Sequence, residues 1–192
     1  MSDADRHLET LKGPRGWAAR NYRPHHAFAR DMCLSGRAVP QPIGILGGAM
    51  KILITEDEPI LAEELETIVR DLGHQVVGVA STLGGALRLA EQSACDLALV
   101  DVYLRDGTTG PDLARHLVKN RHAAVIFTTS SPNRLPEDLA SACGVLAKPL
   151  SEQSVKSAIR FVNECLVDGH ATHPKPRALH LSPAYAELWK VT

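Results

Sequence analysis

The run Lys51-Ile-Leu-Ile-Thr-Glu-Asp57 decides how the chain is read. Its apolar and β-branched residues follow one another with no polar alternation, the mark of a strand buried on both faces. The run stops at two carboxylates, Glu56 and Asp57. Directly afterwards Pro59 suits a first helical turn. Ile60, Leu61, Leu65, Ile68, Val69 and Leu72 then recur at helical spacing until Gly73 ends the pattern. A buried strand feeding at once into an amphipathic helix is the start of a βαβ unit.

The alternation continues down the chain. Gln75 to Ala80, Asp96 to Val100, Ala123 to Thr128 and Gly144 to Ala147 read as further strands. Thr82 to Gln92, Pro111 to Lys119, a short stretch around Pro136 to Ser141, and Glu152 to Val167 read as further helices. Five apolar strands alternating with five helices predict an α/β fold: an open, doubly wound parallel sheet covered on both faces.

Charge divides the 192 residues in the same way. The formal net charge of -1 hides a basic segment 1–49 at net +3, an acidic middle 50–168 at net -6, and a basic end 169–192 at net +2. Seven of the 12 prolines lie in the two flanks, so the middle is predicted to be the folded unit. The domain is set at 50–167, with 1–49 a basic, proline-containing arm and 168–192 a short tail. Residues 182–190 could form a short helix with Leu188 and Trp189 on one face. Gly47-Gly48-Ala49 is compatible with codons that place a ribosome-binding signal ahead of Met50. Residues 1–49 are therefore expected to be a disordered arm or a translated upstream region.

Several classes are excluded by composition. No run approaches the roughly 18 apolar residues of a membrane span, and the N-terminus lacks a basic-then-apolar signal. Cys33, Cys95, Cys143 and Cys165 form no C-x-x-C pair, which argues against a zinc site or a disulfide framework and suits a reducing cytoplasm. The charge balance gives no case for nucleic acid. His25-His26 and His170-x-x-His173 lie in the flanks and read as solvated side chains.

In an open parallel sheet, ligands sit at the carboxyl ends of the strands. Glu56 and Asp57 follow the first strand, Asp101 ends the third, Thr128 and Thr129 end the fourth, and Lys148-Pro149 follow the fifth. Clustered carboxylates repel, and a divalent cation relieves them; Mg²⁺ takes oxygen ligands of this kind. An aspartate beside Mg²⁺ can attack phosphorus and become an acyl phosphate. A lysine and a hydroxyl can then neutralise and hydrogen-bond the phosphoryl oxygens.

With those residues in place, Met50 to Val167 resembles the receiver domains of two-component response regulators. The motifs that carry the resemblance are Ile-Thr-Glu56-Asp57-Glu, Leu-Val-Asp101-Val-Tyr-Leu, Ile-Phe-Thr-Thr129-Ser and Leu-Ala-Lys148-Pro149. The resemblance implies a flavodoxin-like strand order 2-1-3-4-5 and a phosphoacceptor rather than a conventional enzyme. It makes Asp101 the phosphoacceptor. It makes Glu56, Asp57, Asp101 and the backbone carbonyl of Tyr103 the Mg²⁺ ligands. Thr129 and Lys148 become the groups that sense the phosphoryl group, with a cis Lys148–Pro149 bond. Thr128 is the alternative hydroxyl; Thr129 is preferred because a small residue, Ser130, follows it. The implied partners are a histidine kinase or phosphotransfer protein and a downstream protein target.

Three departures stand out. Val145 occupies the position where the family often carries an aromatic switch, three residues before the lysine. The interval from Thr129 to Lys148 is short, which fits a reduced fourth helix. The loop Arg105 to Gly110 is one residue longer than in chemotaxis-type receivers. No output domain is visible, so a receiver-like module that binds a partner without phosphorylation is the alternative. A haloacid-dehalogenase-type enzyme is a further reading, but it needs an acidic residue where Tyr103 stands.

Overall fold

The computed structural model describes residues 49–191. The predicted arm at 1–49, with Cys33 and His25-His26, lies outside the described residues except for Ala49.

The sheet is laid down by runs that need two buried faces. Strand β1 (Lys51–Thr55) is followed by helix α1 (Pro59–Asp71), β2 (Gln75–Ala80), α2 (Leu83–Gln92) and β3 (Leu97–Asp101). Next come α3 (Gly110–His116), which runs on into a wider turn Leu117–Arg121, then β4 (Ala124–Thr129), β5 (Gly144–Ala147) and α4 (Glu152–Asp168). All five residues of β3 and all six of β4 are buried, as central strands between two helix layers must be. Sequence sets the helix ends. Thr82 accepts a hydrogen bond from the Gly85 amide, and Ser151 and Ser154 form a reciprocal capping box at the start of α4. Gly169, at a left-handed φ of 77°, ends α4.

The strand order is β2-β1-β3-β4-β5, with parallel pairing throughout, as the resemblance implied. Apolar side chains divide into two cores, one per face. Ile52, Ile54, Leu99 and Ile126 pack beneath α1 and α4, while Leu53, Val100, Val125 and Phe127 pack beneath α2 and α3. Among the described residues, no helix is long and apolar enough to cross a membrane. Cys95, Cys143 and Cys165 are free and buried. Burial pushes the Cys95 thiol up to about 11 and the Cys143 thiol up to about 12, so both are held protonated.

Two expectations are corrected. The fourth helix is absent: between β4 and β5 the chain makes only 3₁₀ turns at Pro132–Arg134 and Leu139–Ser141. Leu139, Ala140 and Ser141 all have positive φ, between 46° and 67°, which no right-handed helix accommodates. Asp138 satisfies the Ala140 amide at 2.9 Å in their place.

The segment 168–192 is not a simple tail. Leu179–Leu181 forms β6, antiparallel to β5, so among the described residues the sheet has six strands rather than five. Pro183–Leu188 forms α5. The reason is burial: Leu179, Tyr185 and Trp189 are almost wholly removed from solvent and join the core beneath α4. The Trp189 ring meets Tyr185 edge-on at 4.9 Å and Phe161 at 6.1 Å.

Candidate functional site

The site is assembled by three strand ends. β1 runs out into Glu56 and Asp57, and the Glu56 amide donates to the Ala80 carbonyl at 2.9 Å, which ties this loop to β2. β3 delivers Asp101 from the centre of the sheet. β5 delivers Lys148, whose own amide donates to the Thr129 carbonyl at 2.8 Å. The Lys148–Pro149 peptide is cis.

These ends converge on one point. One carboxylate oxygen from each of Glu56, Asp57 and Asp101 lies within 4.8 Å of the others. Glu56 is 2% exposed and Asp101 5%, so neither charge is screened by bulk water. The Lys148 ammonium donates to Asp101 Oδ2 at 2.6 Å and to Glu56 Oε1 and Oε2 at 3.1 and 2.9 Å. The remaining Asp101 oxygen, Oδ1, accepts the Tyr103 amide at 3.1 Å. The phosphoacceptor expected from sequence thus has one oxygen held by a cation and one by the backbone.

Among the described residues, three carboxylates face one ammonium, so charge in the pocket does not balance. Burial, reinforced by the nearby Asp101 charge, raises the Glu56 pKa above its ordinary value even though Lys148 opposes it. Burial would lower the Lys148 pKa, but its hydrogen bonds to Asp101 and Glu56 outweigh that and raise it. Lys148 therefore stays cationic. The donors are hard, anionic oxygens in excess of the local positive charge, a set that fits Mg²⁺.

Thr129 is fully buried at the end of β4, and its hydroxyl accepts the Ser131 amide at 3.1 Å. Thr128 stands beside Asp101 in the β3–β4 register. Its hydroxyl is buried with no hydrogen-bond partner among the described residues. The structure therefore brings together Glu56, Asp57, Asp101 and Lys148, links Tyr103 to Asp101 through its amide, and links Thr129 to Lys148 through its carbonyl.

Two residues at the site were not singled out from sequence. Gly110 opens α3 against the backbone of Asp101: a Cβ there would collide with the Asp101 carbonyl and lie 2.8 Å from Val102 Cα. Its amide donates to the Val102 carbonyl at 3.2 Å. The only sequence signal was a glycine before Pro111 at a helix start. Arg134 donates to the Tyr103 hydroxyl at 3.3 Å and bridges the loops after β3 and β4. No short-range pattern marks that pair.

Residues 52–160 match the family model described as the response regulator receiver domain. The phyllosphere-induced regulator PhyR of Methylorubrum extorquens is 40% identical over 113 residues, which are 58% of this chain and 42% of that protein. The transcriptional regulatory protein PdtaR of Mycobacterium tuberculosis is 32% identical over 116 residues, 58% of this chain and 55% of that one. The chain therefore spans about half the length of these curated relatives. Among solved structures, the receiver domain of Erythrobacter litoralis PhyR superposes with a TM-score of 0.56 at 30% identity, covering 67% of this chain and 96% of that one.

Proposed function

We infer that this chain, which belongs to the response regulator receiver domain family over residues 52–160, accepts a phosphoryl group on Asp101. The observation that carries this reading is the Glu56, Asp57 and Asp101 oxygen cluster with the Lys148 ammonium 2.6 Å from Asp101 Oδ2.

The donor is a phosphohistidine of a histidine kinase or phosphotransfer protein. An Asp101 oxygen attacks phosphorus, the P–N bond breaks, and the imidazole leaves and takes a proton. Mg²⁺ held by Glu56, Asp57, Asp101 and the Tyr103 carbonyl would supply positive charge to the phosphoryl oxygens. The Tyr103 amide fixes the rotamer of Asp101 so that its carboxylate presents a constant face to the donor. Lys148 follows the transferred charge, and Thr129 offers a hydroxyl to a phosphoryl oxygen. Hydrolysis of the acyl phosphate ends the signal. The chain is a cytoplasmic switch that acts on a protein partner, not a conventional enzyme.

The test is intact mass measurement after incubation with acetyl phosphate and Mg²⁺. The wild-type chain gains one phosphoryl group and Asp101→Asn gains none. Asp57→Ala binds Mg²⁺ more weakly and is phosphorylated more slowly, yet stays folded. A wild-type chain that never gains the mass, beside a control receiver that does, supports instead a receiver-like module that binds its partner without phosphorylation.

A further inference from the structure

Strand β6 and helix α5 close the free edge of β5, the strand that delivers Lys148 to the carboxylates. We propose that residues 179–191 are a clasp released when Asp101 is phosphorylated. The clasp depends on Asp101 being the phosphoacceptor and names the output element of that switch.

The seat is shaped for the clasp. Leu181, His180 and Leu179 pair with Gly144, Val145 and Leu146, and the Ser182 amide donates to the Cys143 carbonyl at 2.9 Å. Gly144 is bare for a reason: a Cβ there would lie 2.7 Å from the His180 carbonyl oxygen and 3.1 Å from Leu179 Cδ1. Any side chain at this position pushes β6 off the edge.

The seat is also close to the chemistry. Ala147 alone separates the residues paired with β6 from Lys148. The ammonium of Lys148 is held by Asp101 Oδ2 and both Glu56 oxygens. A phosphoryl group on Asp101 moves negative charge outward from the carboxylate, and the ammonium follows it. β5 is only four residues long, so a displaced Lys148 draws directly on the strand that β6 grips.

The grip itself is modest. It comprises a three-residue strand and a six-residue helix, anchored by Leu179, Tyr185 and Trp189. The Tyr185 hydroxyl is buried with no partner among the described residues, which weakens the anchor. A segment this short opens as one unit, so a bias at β5 shifts its open population against the burial of those three side chains. Release uncovers the hydrogen-bonding edge of β5 and the apolar surface around Phe161, so a new surface exists only in the phosphorylated state.

The experiment is amide exchange on the full chain, with and without beryllofluoride and Mg²⁺, alongside phosphorylation by acetyl phosphate. Beryllofluoride is expected to speed exchange across 179–189 about tenfold or more, with no change in Asp101→Asn. Gly144→Ala is expected to show fast exchange there without the analogue, while β1 to β4 stay protected and Asp101 still gains its phosphoryl mass. Tyr185→Phe, which keeps the ring and removes the orphaned hydroxyl, should slow exchange in the same segment and so tests the clasp even where Gly144→Ala folds poorly. A chain that gains the phosphoryl mass and changes around Thr129 and Lys148, yet keeps 179–189 equally protected, overturns the clasp alone. A wild-type chain that gains no mass overturns the phosphoacceptor reading and the clasp with it.

Discussion

Lys148 and Asp101, 47 residues apart in sequence, meet at 2.6 Å, and the same ammonium bonds both oxygens of Glu56, 92 residues away. One cation therefore holds two buried carboxylates together at the end of the sheet. This makes Lys148 a structural counter-charge to both carboxylates.

Lys148→Met should leave Glu56 and Asp101 buried side by side with nothing between them. Breaking a buried ion pair from one side costs about 3–5 kcal/mol, and a loss near the lower end is expected in metal-free buffer. Mg²⁺ should recover much of it, because the cation replaces the missing charge. Denaturant unfolding with and without Mg²⁺ measures both. An equal loss in the two conditions would mean that the lysine and the metal do not share an electrostatic site.

Gly110→Ala should disturb Asp101 from behind. The added Cβ meets the Asp101 carbonyl and Val102 Cα, both backbone atoms that cannot swing aside. Overpacking of this kind costs about 1–3 kcal/mol. The variant should lose stability in that range, and acetyl phosphate should modify it more slowly than wild type. Unchanged stability and rate would show that α3 can retreat without disturbing Asp101.

The parts that were legible in the sequence were those with a long physical signature. β1, β3 and β4 are unbroken apolar runs because both their faces are buried, and Glu56, Asp57, Asp101 and Lys148 stand out because each sits at the carboxyl end of such a run. β6 left no such trace. Leu179-His180-Leu181 is too short for a period to be counted, and it is a strand only because β5 offers a free edge with Gly144 in it. The short helix with Leu188 and Trp189 on one face is legible over 182–190, and Pro183–Leu188 forms it; the burial of Tyr185 beside Trp189 depends on tertiary contact with α4. The missing fourth helix has a related cause. Pro136 to Ser141 carries no breaker beyond its first proline, yet Asp138 and the left-handed Leu139 to Ser141 turn the chain into β5 instead.

Thr128→Val and Thr129→Val separate the two candidate hydroxyls. Thr128 Oγ1 is buried and has no partner among the described residues, so replacing it with a methyl group removes an unsatisfied polar atom. Stability should rise by about 1 kcal/mol. Thr129 Oγ1 accepts the Ser131 amide, so its loss should destabilise by a similar amount and weaken the response to phosphorylation. Thermal unfolding and amide exchange around Ser131 read the two effects. If Thr128→Val is the variant that blunts the response, Thr128 is the switch hydroxyl and its empty hydrogen-bonding site is where the phosphoryl oxygen arrives.

Glu164 gives the end of α4 a pH dependence of definite sign. Partial burial would raise its carboxyl pKa, but hydrogen bonds from His173 and from the amides and hydroxyl of Thr172 and His173 prevail and hold it down at about 2. A carboxylate whose pKa falls on folding stabilises the folded state above its unfolded value of 4.5, and that contribution is lost as pH falls from there towards about 2. The side chain is 23% exposed, so solvent screening keeps the effect modest. The bend at 170–173 lies on the connection from α4 to β6, with residues 174–178 between them, and loosening it should free the C-terminal segment first. Amide exchange measured from pH 5 to pH 3, corrected for the intrinsic rate, should therefore show 179–189 losing protection before β1 to β4. Glu164→Gln should show that early loss already at neutral pH and flatten the pH dependence of the segment. Simultaneous loss across the whole sheet would place the acid-sensitive contact elsewhere, with the buried carboxylates around Lys148 as the next group to test.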